Sequence, residues 1–360
     1  MTQAAAAPAP VAVGVIERTR ALAAEAVGAV RAALASDVGR PYALLDFPCF
    51  PNLGDNAIWL GTRAVLGAIG MPPPAYTCDN RTFEPEVLAR LVGDGPILLL
   101  GGGNFGDLFA KHQRLREQVV ARFPANPVLQ LPQTIRFASR ETEAAARRAF
   151  SPHGRLKILV RDAESLETAT KSLGLDAVLC PDLAFGLGGR PSPSRRRRRI
   201  LWLARGDAWR RHEPPREDRD LVVSDWPRER PSIRRTYVRV LSSWIRRGRA
   251  RGTRVRTALS AAYDPLARWR VERGLAWLSR EAVVVTDRLH GHVLAMLTGT
   301  PHVLLDDATG KVRAFHDAFS RGVAGIVWAD DAAEALVRAR RMLAEGTSRD
   351  EGPRLGERTS

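Results

Sequence analysis

The chain is predicted to be an α/β protein built from two doubly wound domains that face a cleft. Three observations support this fold class. Short apolar runs rich in β-branched residues alternate with helical patterns along most of the chain, which is typical of a parallel sheet covered on both faces. The length of 360 residues suffices for two cores. A stretch rich in Gly, Pro, Ser and Arg, "GLGGRPSPSRRRRR", interrupts the alternation near its middle.

These features divide the chain into five segments. We expect an Ala-rich helical extension over residues 1–40, a first α/β domain over 41–190, an Arg-rich linker over 191–199, a second α/β domain over 200–346 and a disordered tail over 347–360. Both domains are expected to be Rossmann-like, with ligands held where strands end.

Apolar runs indicate the strands of each domain. In the first domain strands are predicted at 42–47, 96–100, 127–135, 156–162 and 177–185. In the second they are predicted at 200–205, 219–225, 253–259, 282–287 and 301–306, with helices at about 232–248 and at 331–346.

The composition is that of a globular, strongly basic protein. Basic residues outnumber acidic ones by 55 to 39, for a formal net charge of +16, and hydrophobic residues make up 45%. Two interpretations of the charge stay open. One is a solvated positive surface, which GC-rich coding alone would produce, and the other is attraction to a phosphate compound, an acidic lipid surface or nucleic acid.

Other sequence features favour a cytoplasmic protein. No apolar run approaches the ~20 residues of a membrane span, and the start of the chain is a poor secretion signal. The three cysteines, Cys49, Cys78 and Cys180, are odd in number and widely spaced. A disulfide framework or a zinc site is therefore not expected, and we predict no metal.

The motif "VVVTDRLHGHV" at 283–293 places polar residues directly after a buried strand. A helix is predicted from Gly291 to Leu297, so Arg288 and His290 fall on the turn between strand and helix, where α/β proteins hold ligands. "LWLARGD" likewise ends a strand with Arg205.

Two arginines at neighbouring strand ends would form an anion site beside a helix N-terminus. Arginine holds carboxylate or phosphate through paired hydrogen bonds, and His290 is suited to proton transfer near neutral pH. The alternative is that Arg288 pairs with Asp287 or Asp306 and that His290 caps the helix. His292 is interpreted as structural.

Two loops of the first domain also place polar residues and glycines between a strand and a helix. "LLLGGGNFGDL" places Gly102, Gly103 and Asn104 after a strand and before a helix, where glycine lets a ligand approach the backbone. "FPNLGDNAIWLG" places Asn52 and Asp55 in a similar position. A tight turn and helix capping by Asp55 are the structural alternatives.

The ordered set of motifs resembles the polysaccharide pyruvyl transferase family. The resemblance runs from about Asn52 to Phe315 through "NLGDNAIWLG", "LLLGGGNFGDL", "LPQTI", "VRDAESLE", "CPDLAF", "LWLARGD", "VVTDRLHGHVLAMLTGTP" and "LLDDATGKVRAF". It implies a GT-B-like fold. It also implies transfer of the pyruvyl group of phosphoenolpyruvate, as co-substrate and without a further cofactor, onto two hydroxyls of one sugar, which gives a cyclic ketal.

The resemblance also implies roles for individual residues. Arg288 and His290 would be catalytic, and the donor would be bound by Arg205, Arg288, Leu289, His290 and Gly291. By fold analogy the first domain would hold the acceptor, a glycan or lipid-linked oligosaccharide, through Asn52, Asp55, Gly102, Gly103 and Asn104.

Two parts of the chain depart from the family pattern. Asp307 and Ala308 stand where an Asn and an aromatic residue are expected, which leaves the role of Lys311 open. Residues 1–40 lie outside the resemblance. They could dock on anionic lipid at the inner membrane face or pack in the ordinary way, and ordinary packing is favoured.

Two other functions compete with this interpretation. A GT-B glycosyltransferase using a nucleotide sugar would share the cleft, but no convincing acidic residue for a ribose follows the "RLHGH" turn, and Glu281 and Asp287 precede it. A nucleic-acid-binding protein is suggested by "RRRRR" at 195–199, yet aromatic residues are only 6% and are not interleaved with that run. No specific nucleic-acid partner is expected.

Overall fold

The computed structural model describes residues 14–190, 196–229, 231–248 and 253–350, and it contains two parallel sheets flanked by helices. The predicted α/β class with two Rossmann-like units is confirmed. Residues 1–13 of the extension and 351–360 of the predicted tail lie outside the described residues, as do 191–195 of the linker.

The first sheet belongs to the first domain. Its strands are β1 (Ala43–Leu45), β2 (Tyr76–Cys78), β3 (Ile97–Leu99), β4 (Gly102–Phe105), β5 (Val128–Ile135), β6 (Leu156–Val160) and β7 (Asp176–Leu179). They lie in the order β2-β1-β3-β5-β6-β7, with β4 beside β5. The accompanying helices are α1 (Val15–Leu34), α2 (Leu53–Ala68), α3 (Pro85–Val92), α4 (Ala110–Arg122), α5 (Arg140–Phe150) and α6 (Ala163–Glu167).

The second sheet repeats this topology. Its strands are β8 (Arg197–Leu203), β9 (Leu221–Ser224), β10 (Glu281–Thr286), β11 (His302–Leu304) and β12 (Ile326–Trp328), in the order β12-β11-β10-β8-β9. Its helices are α7 (Ile233–Arg246), α8 (Thr253–Leu278), α9 (Leu289–Thr298), α10 (Lys311–Phe319) and α11 (Ala332–Asp350). In the described part of the chain no helix is long and apolar enough to cross a bilayer.

Both sheets have the switch point of a doubly wound fold. The chain starts at β1, adds β2 on one side and then crosses to β3 on the other, and β8, β9 and β10 do the same. Such sheets bind ligands outside the carboxyl ends of the strands at this point. The expected sites are therefore the loops that follow β1 and β3 and those that follow β8 and β10.

One apolar core joins the two domains. The Tyr263 ring of α8 stacks on Phe47 with ring centroids 3.8 Å apart, and the Trp59 indole N–H of α2 donates to the Asp264 carboxylate at 2.7 Å. Buried residues of α1, α2, α8 and α9 belong to one hydrophobic cluster. The relative position of the domains is thus set by side-chain packing.

The helix α1 packs into this core. Its buried positions Leu22, Ala26, Val30 and Leu34 recur every four residues and form one face. Thr19 on the same face donates its hydroxyl to the Met296 carbonyl of α9 at 3.1 Å. The described residues of the N-terminal extension therefore pack against the rest of the protein in the ordinary way, as favoured from the sequence.

Two local predictions were wrong. Residues 253–259 begin α8 and are not a strand, because Leu259, Tyr263, Leu266 and Val271 are buried at helical spacing. The strand predicted at 177–185 ends at Leu179, and a short 3₁₀ helix occupies Leu183–Leu187.

Two predicted boundaries also differ from the structure. Strand β8 starts inside the predicted linker at Arg197, which pairs in the sheet with Glu281 of β10. Helix α11 continues to Asp350, past the predicted start of the tail at 347.

Candidate active site

Residues of both domains line one cavity of about 200 Å³ between the carboxyl ends of the two sheets. The lining residues are Phe50, Asn52, Asp55, Gly103, Asn104, Phe109, His112, Arg161, Arg205, Trp226, Arg288, Leu289, His290, Asp307 and Lys311. Most of the residues that the sequence predicts as a site therefore meet in one place. Gly102 and Gly291 do not line the cavity.

The start of α2 forms one wall. Asn52, not Asp55, caps this helix, since its side-chain oxygen accepts from the backbone N–H groups of Gly54 and Asp55 at 2.9 and 3.3 Å. The Asp55 side chain is left to face the cavity. Burial raises the pKa of its carboxyl group, although the nearby charges of His290 and Arg161 oppose the shift.

The glycine loop after β3 brings backbone close to charged side chains. A Cβ on Gly103 would lie 2.9 Å from an Nη of Arg161 and 3.6 Å from Nζ of Lys311. Gly102 has a φ of +135°, and a Cβ there would lie 3.6 Å from an Asp55 carboxylate oxygen. The Asn104 side-chain oxygen accepts from Gln133 at 2.9 Å and also from Arg116, which fixes its amide in the wall.

Arg288 stands at the N-cap position of α9, and no side chain among the described residues caps that helix. Its guanidinium pairs with Asp225 at 2.5 Å and lies 6.0 Å from the Trp226 ring centroid. Arg288 therefore pairs with neither Asp287 nor Asp306, and His290 does not cap α9, so the structural alternative for this turn was wrong. The N–H groups of the first turn of α9 remain available to an anion.

Arg205, after β8, is held by two carboxylates. It pairs with Asp207 at 2.8 Å and with the buried Asp307 at 3.1 Å. Asp287 is buried near both site arginines. Burial raises its pKa to about 6, against the opposing charges of Arg205 and Arg288.

His290 lies between α2 and a buried ion pair. Its Nε2 is 3.7 Å from an Asp182 carboxylate oxygen and forms no hydrogen bond within the described residues. Asp182 also pairs with Arg161 at 2.5 Å. Burial by itself raises the pKa of Asp182, but His290 and Arg161 outweigh it and lower the pKa to about 2. Asp182 therefore stays ionised beside the imidazole.

Lys311 and His112 complete the ring of basic groups. Burial, together with the charge of Arg161, lowers the pKa of Lys311 to about 8. His112 on α4 pairs through Nδ1 with the buried Asp46 at 2.7 Å. Asp46 has a φ of +74°, in the left-handed region that favours glycine. Strain of this kind concentrates at functional sites.

His292 lies on the far side of α9, in a buried network away from the cavity. Its Nδ1 is 2.7 Å from His302 Nε2 and its Nε2 is 2.9 Å from the Ser320 hydroxyl. Burial lowers the pKa of His292 well below its usual value. The structural interpretation of His292 is confirmed.

A model of the polysaccharide pyruvyl transferase family matches residues 52–308, more than half of the chain. The chain belongs to the polysaccharide pyruvyl transferase family. The membership expected from the motif order is confirmed.

Curated relatives and a solved structure agree with this family and fold. Pyruvyl transferase 1 of Schizosaccharomyces pombe is 29% identical over 303 residues, covering 78% of this chain and 70% of that protein. EpsO of Bacillus subtilis (strain 168), a pyruvyl transferase by name, is 26% identical over 283 residues, 77% of this chain and 85% of that protein. The crystal structure of an uncharacterised protein from Klebsiella pneumoniae has a TM-score of 0.53 at 14% identity, covering 86% of this chain and 98% of that one. The two-domain, GT-B-like fold is confirmed.

Sequence reasoning missed several lining residues of this pyruvyl transferase family member. Arg161 follows β6 as Arg205 follows β8 and Arg288 follows β10, so the rule that selected two strand-end arginines should have selected the third. For His112 no local signal exists, because its partner Asp46 lies 66 residues away along the chain.

Proposed function

We propose that this protein transfers the pyruvyl group of phosphoenolpyruvate onto two hydroxyls of one sugar in a glycan precursor, forming a cyclic ketal. The observation that carries the proposal is the convergence of four cationic side chains and the uncapped start of α9 on one small cavity. The cationic side chains are Arg161, Arg205, Arg288 and Lys311. Phosphoenolpyruvate has a phosphate and a carboxylate on a three-carbon skeleton, so it offers two anionic groups at short range.

The size of the cavity favours this donor over a nucleotide sugar. Its volume of about 200 Å³ is below the roughly 300–1,000 Å³ of sites for drug-sized ligands. A nucleotide sugar would also need contacts for a base and a ribose. The charged lining favours a compact anion.

In the proposed complex the two anionic groups of the donor bind separate clusters. The phosphate lies at the first turn of α9 with Arg205 and Arg288, where guanidinium groups and backbone N–H groups both favour anions. The carboxylate lies toward Arg161 and Lys311. Asp225, the present partner of Arg288, has a side chain that is 42% exposed, so it can turn toward solvent when phosphate replaces it.

The proposed reaction begins with proton transfer to the methylene carbon of the donor. That carbon becomes a methyl group, and positive charge develops at C2. One sugar hydroxyl forms a C–O bond there, the bond between C2 and the phosphate oxygen breaks, and the second hydroxyl closes the ketal. Of the two hydroxyl protons, one balances the proton taken up by the methyl group and the other leaves with phosphate.

Two residues are placed for these proton transfers. His290 is the proposed acid, since its Nε2 is buried, forms no hydrogen bond within the described residues and lies 3.7 Å from an Asp182 carboxylate oxygen. Asp55 is the proposed acceptor of a sugar hydroxyl proton, since burial raises its pKa. The site arginines stabilise charge on the departing phosphate.

Calorimetric titration of phosphoenolpyruvate into the purified protein tests the donor. Saturable binding is expected, and Arg288→Ala should weaken it at least ~10-fold, because a charged hydrogen bond contributes about 1.5–3 kcal/mol. Arg148→Ala, which removes an exposed arginine of α5, is the control and should bind as the wild type does. Binding of a uridine-nucleotide sugar in place of phosphoenolpyruvate would instead make the protein a glycosyltransferase.

A further inference from the structure

Helix α7 has two apolar faces, and one of them faces outward. Val238, Leu241 and Ile245 on the inner face are buried. The outer face carries large apolar side chains that recur at i, i+4, i+7 and i+11 and so lie on one line along the helix. These residues, the α7 stripe, are Ile233 (89% exposed), Tyr237 (49%), Val240 (41%) and Trp244 (46%).

Arginines occupy a second flank of α7, roughly 130–170° around the helix from the α7 stripe at 100° per residue. Three arginines of this flank, Arg235, Arg239 and Arg246, line a cavity of about 690 Å³ together with Arg81 and with Arg247 of the turn after α7. The α7 segment "IRRTYVRVLSSWIR" contains no acidic residue. Glu229 pairs with Arg235 at 3.4 Å, but within the described residues no carboxylate lies at ion-pair distance from Arg239, Arg246 or Arg247.

An anionic bilayer complements this surface. Interfacial helices combine a lipid-facing line of Trp and aliphatic side chains with arginines or lysines that meet acidic headgroups, and Trp and Tyr prefer the depth of the headgroups. A second copy of the chain fits less well, because a symmetric contact through the stripe would bring the two sets of unpaired arginines together.

We propose that the α7 stripe and the arginines of α7 dock this protein on an anionic membrane surface. Within the described part of residues 1–40, the apolar face of α1 is packed inside the protein and is not free for such a contact. Phe50 lines both the arginine cavity and the catalytic cavity. The docked protein would therefore hold the mouth of its active site beside the bilayer.

Vesicle flotation tests the proposal. Wild-type protein should float with phosphatidylcholine vesicles that contain phosphatidylglycerol and should not float with phosphatidylcholine alone. Changing Ile233 and Trp244 together to Ser should weaken partitioning at least ~10-fold through lost apolar burial. Arg239→Ala should weaken it roughly five-fold, the effect of about 1 kcal/mol per basic residue near such a surface. All these positions are exposed, so the variants are expected to fold, which circular dichroism would check.

Matched control variants distinguish docking through α7 from a general attraction of the basic protein to anionic vesicles. Val337→Ser removes an exposed apolar residue of α11, 69% exposed, and Arg148→Ala removes an exposed arginine of α5; both should partition as the wild type does. An equal loss in these controls, or no binding to phosphatidylglycerol vesicles, would overturn the proposal. So would a dimer in solution that the Ile233/Trp244 double variant dissociates while vesicles bind no protein. The vesicles contain neither donor nor glycan, so the outcome does not depend on the proposed reaction.

Discussion

The Lys311 side chain shows how one residue acquires a property that its motif does not predict. The sequence places it in an altered "DDATGKV" segment and leaves its role open. In the structure it faces the cavity close to Arg161, and burial and that charge lower its pKa to about 8. Its charge therefore disappears within the pH range in which enzymes are commonly assayed.

The affinity for phosphoenolpyruvate should consequently depend on pH through Lys311. Below about pH 8 the amine is protonated and attracts the donor, and above it the affinity should fall as the proton is lost. Lys311→Met should bind phosphoenolpyruvate more weakly at neutral pH and lack this decline. Lys311→Arg should stay charged, so its affinity for phosphoenolpyruvate should persist to higher pH. Calorimetric titrations at a series of pH values measure both effects. If the affinity of Lys311→Met for phosphoenolpyruvate still fell above about pH 8, a group other than Lys311 would be responsible for the decline.

At the scale of elements, the start of α2 is shaped to accept α9. A Cβ on Gly54 would lie 2.0 Å from Cγ of His290 and 2.5 Å from its Cβ. These atoms join the imidazole to the backbone, so a change of rotamer alone cannot relieve the overlap. The absence of a side chain at Gly54 is what lets the two domains place His290 in the cavity.

Gly54→Ala should therefore damage the site more than the fold. Displacing His290 also displaces the first turn of α9, where the donor phosphate is proposed to bind. Phosphoenolpyruvate binding should therefore weaken at least ~10-fold, the usual effect of losing a charged hydrogen bond. Gly67→Ala on the same helix is the matched control, because nothing lies within 4 Å of its added Cβ. It should leave binding unchanged and raise the free energy of unfolding by about 0.5–1 kcal/mol. Calorimetry and urea denaturation measure the two effects; full donor affinity in Gly54→Ala would show that His290 adapts.

At the scale of the whole molecule, the two sheets share one core although the sequence divides them. Helices α1 and α2 pack on α8 and α9, and the Phe47–Tyr263 stack lies at this junction. The candidate active-site cavity opens between the same two domains, so the packing that joins them also sets the distances across the site.

Thermal unfolding should accordingly show one cooperative transition for both domains, because one hydrophobic cluster contains residues of both and either half alone would expose its share of that cluster. A fragment of residues 1–190 should show no cooperative transition of its own. Differential scanning calorimetry of the full chain and circular dichroism of the fragment are the measurements. Two separate endotherms, or a fragment that unfolds cooperatively, would contradict a shared core.

The α/β class, most strands and the turn that carries Arg288 and His290 follow from the sequence alone, because they depend on periodicity and on backbone requirements within about ten residues of one another. The family follows from the order of motifs between Asn52 and Phe315. The sequence also predicted that Gly103 and Asn104, in the loop after β3, belong to a ligand site, and both line the cavity.

Which groups act together depends on the tertiary structure. Arg161, Lys311 and His112 reach one cavity from distant parts of the chain, and Arg288 pairs with Asp225 in place of the neighbouring carboxylates. The helix that begins at 253 was likewise decided by its buried face. The physical reason is that strand order and domain packing set through-space distances, and ion pairs, pKa values and burial depend on those distances alone.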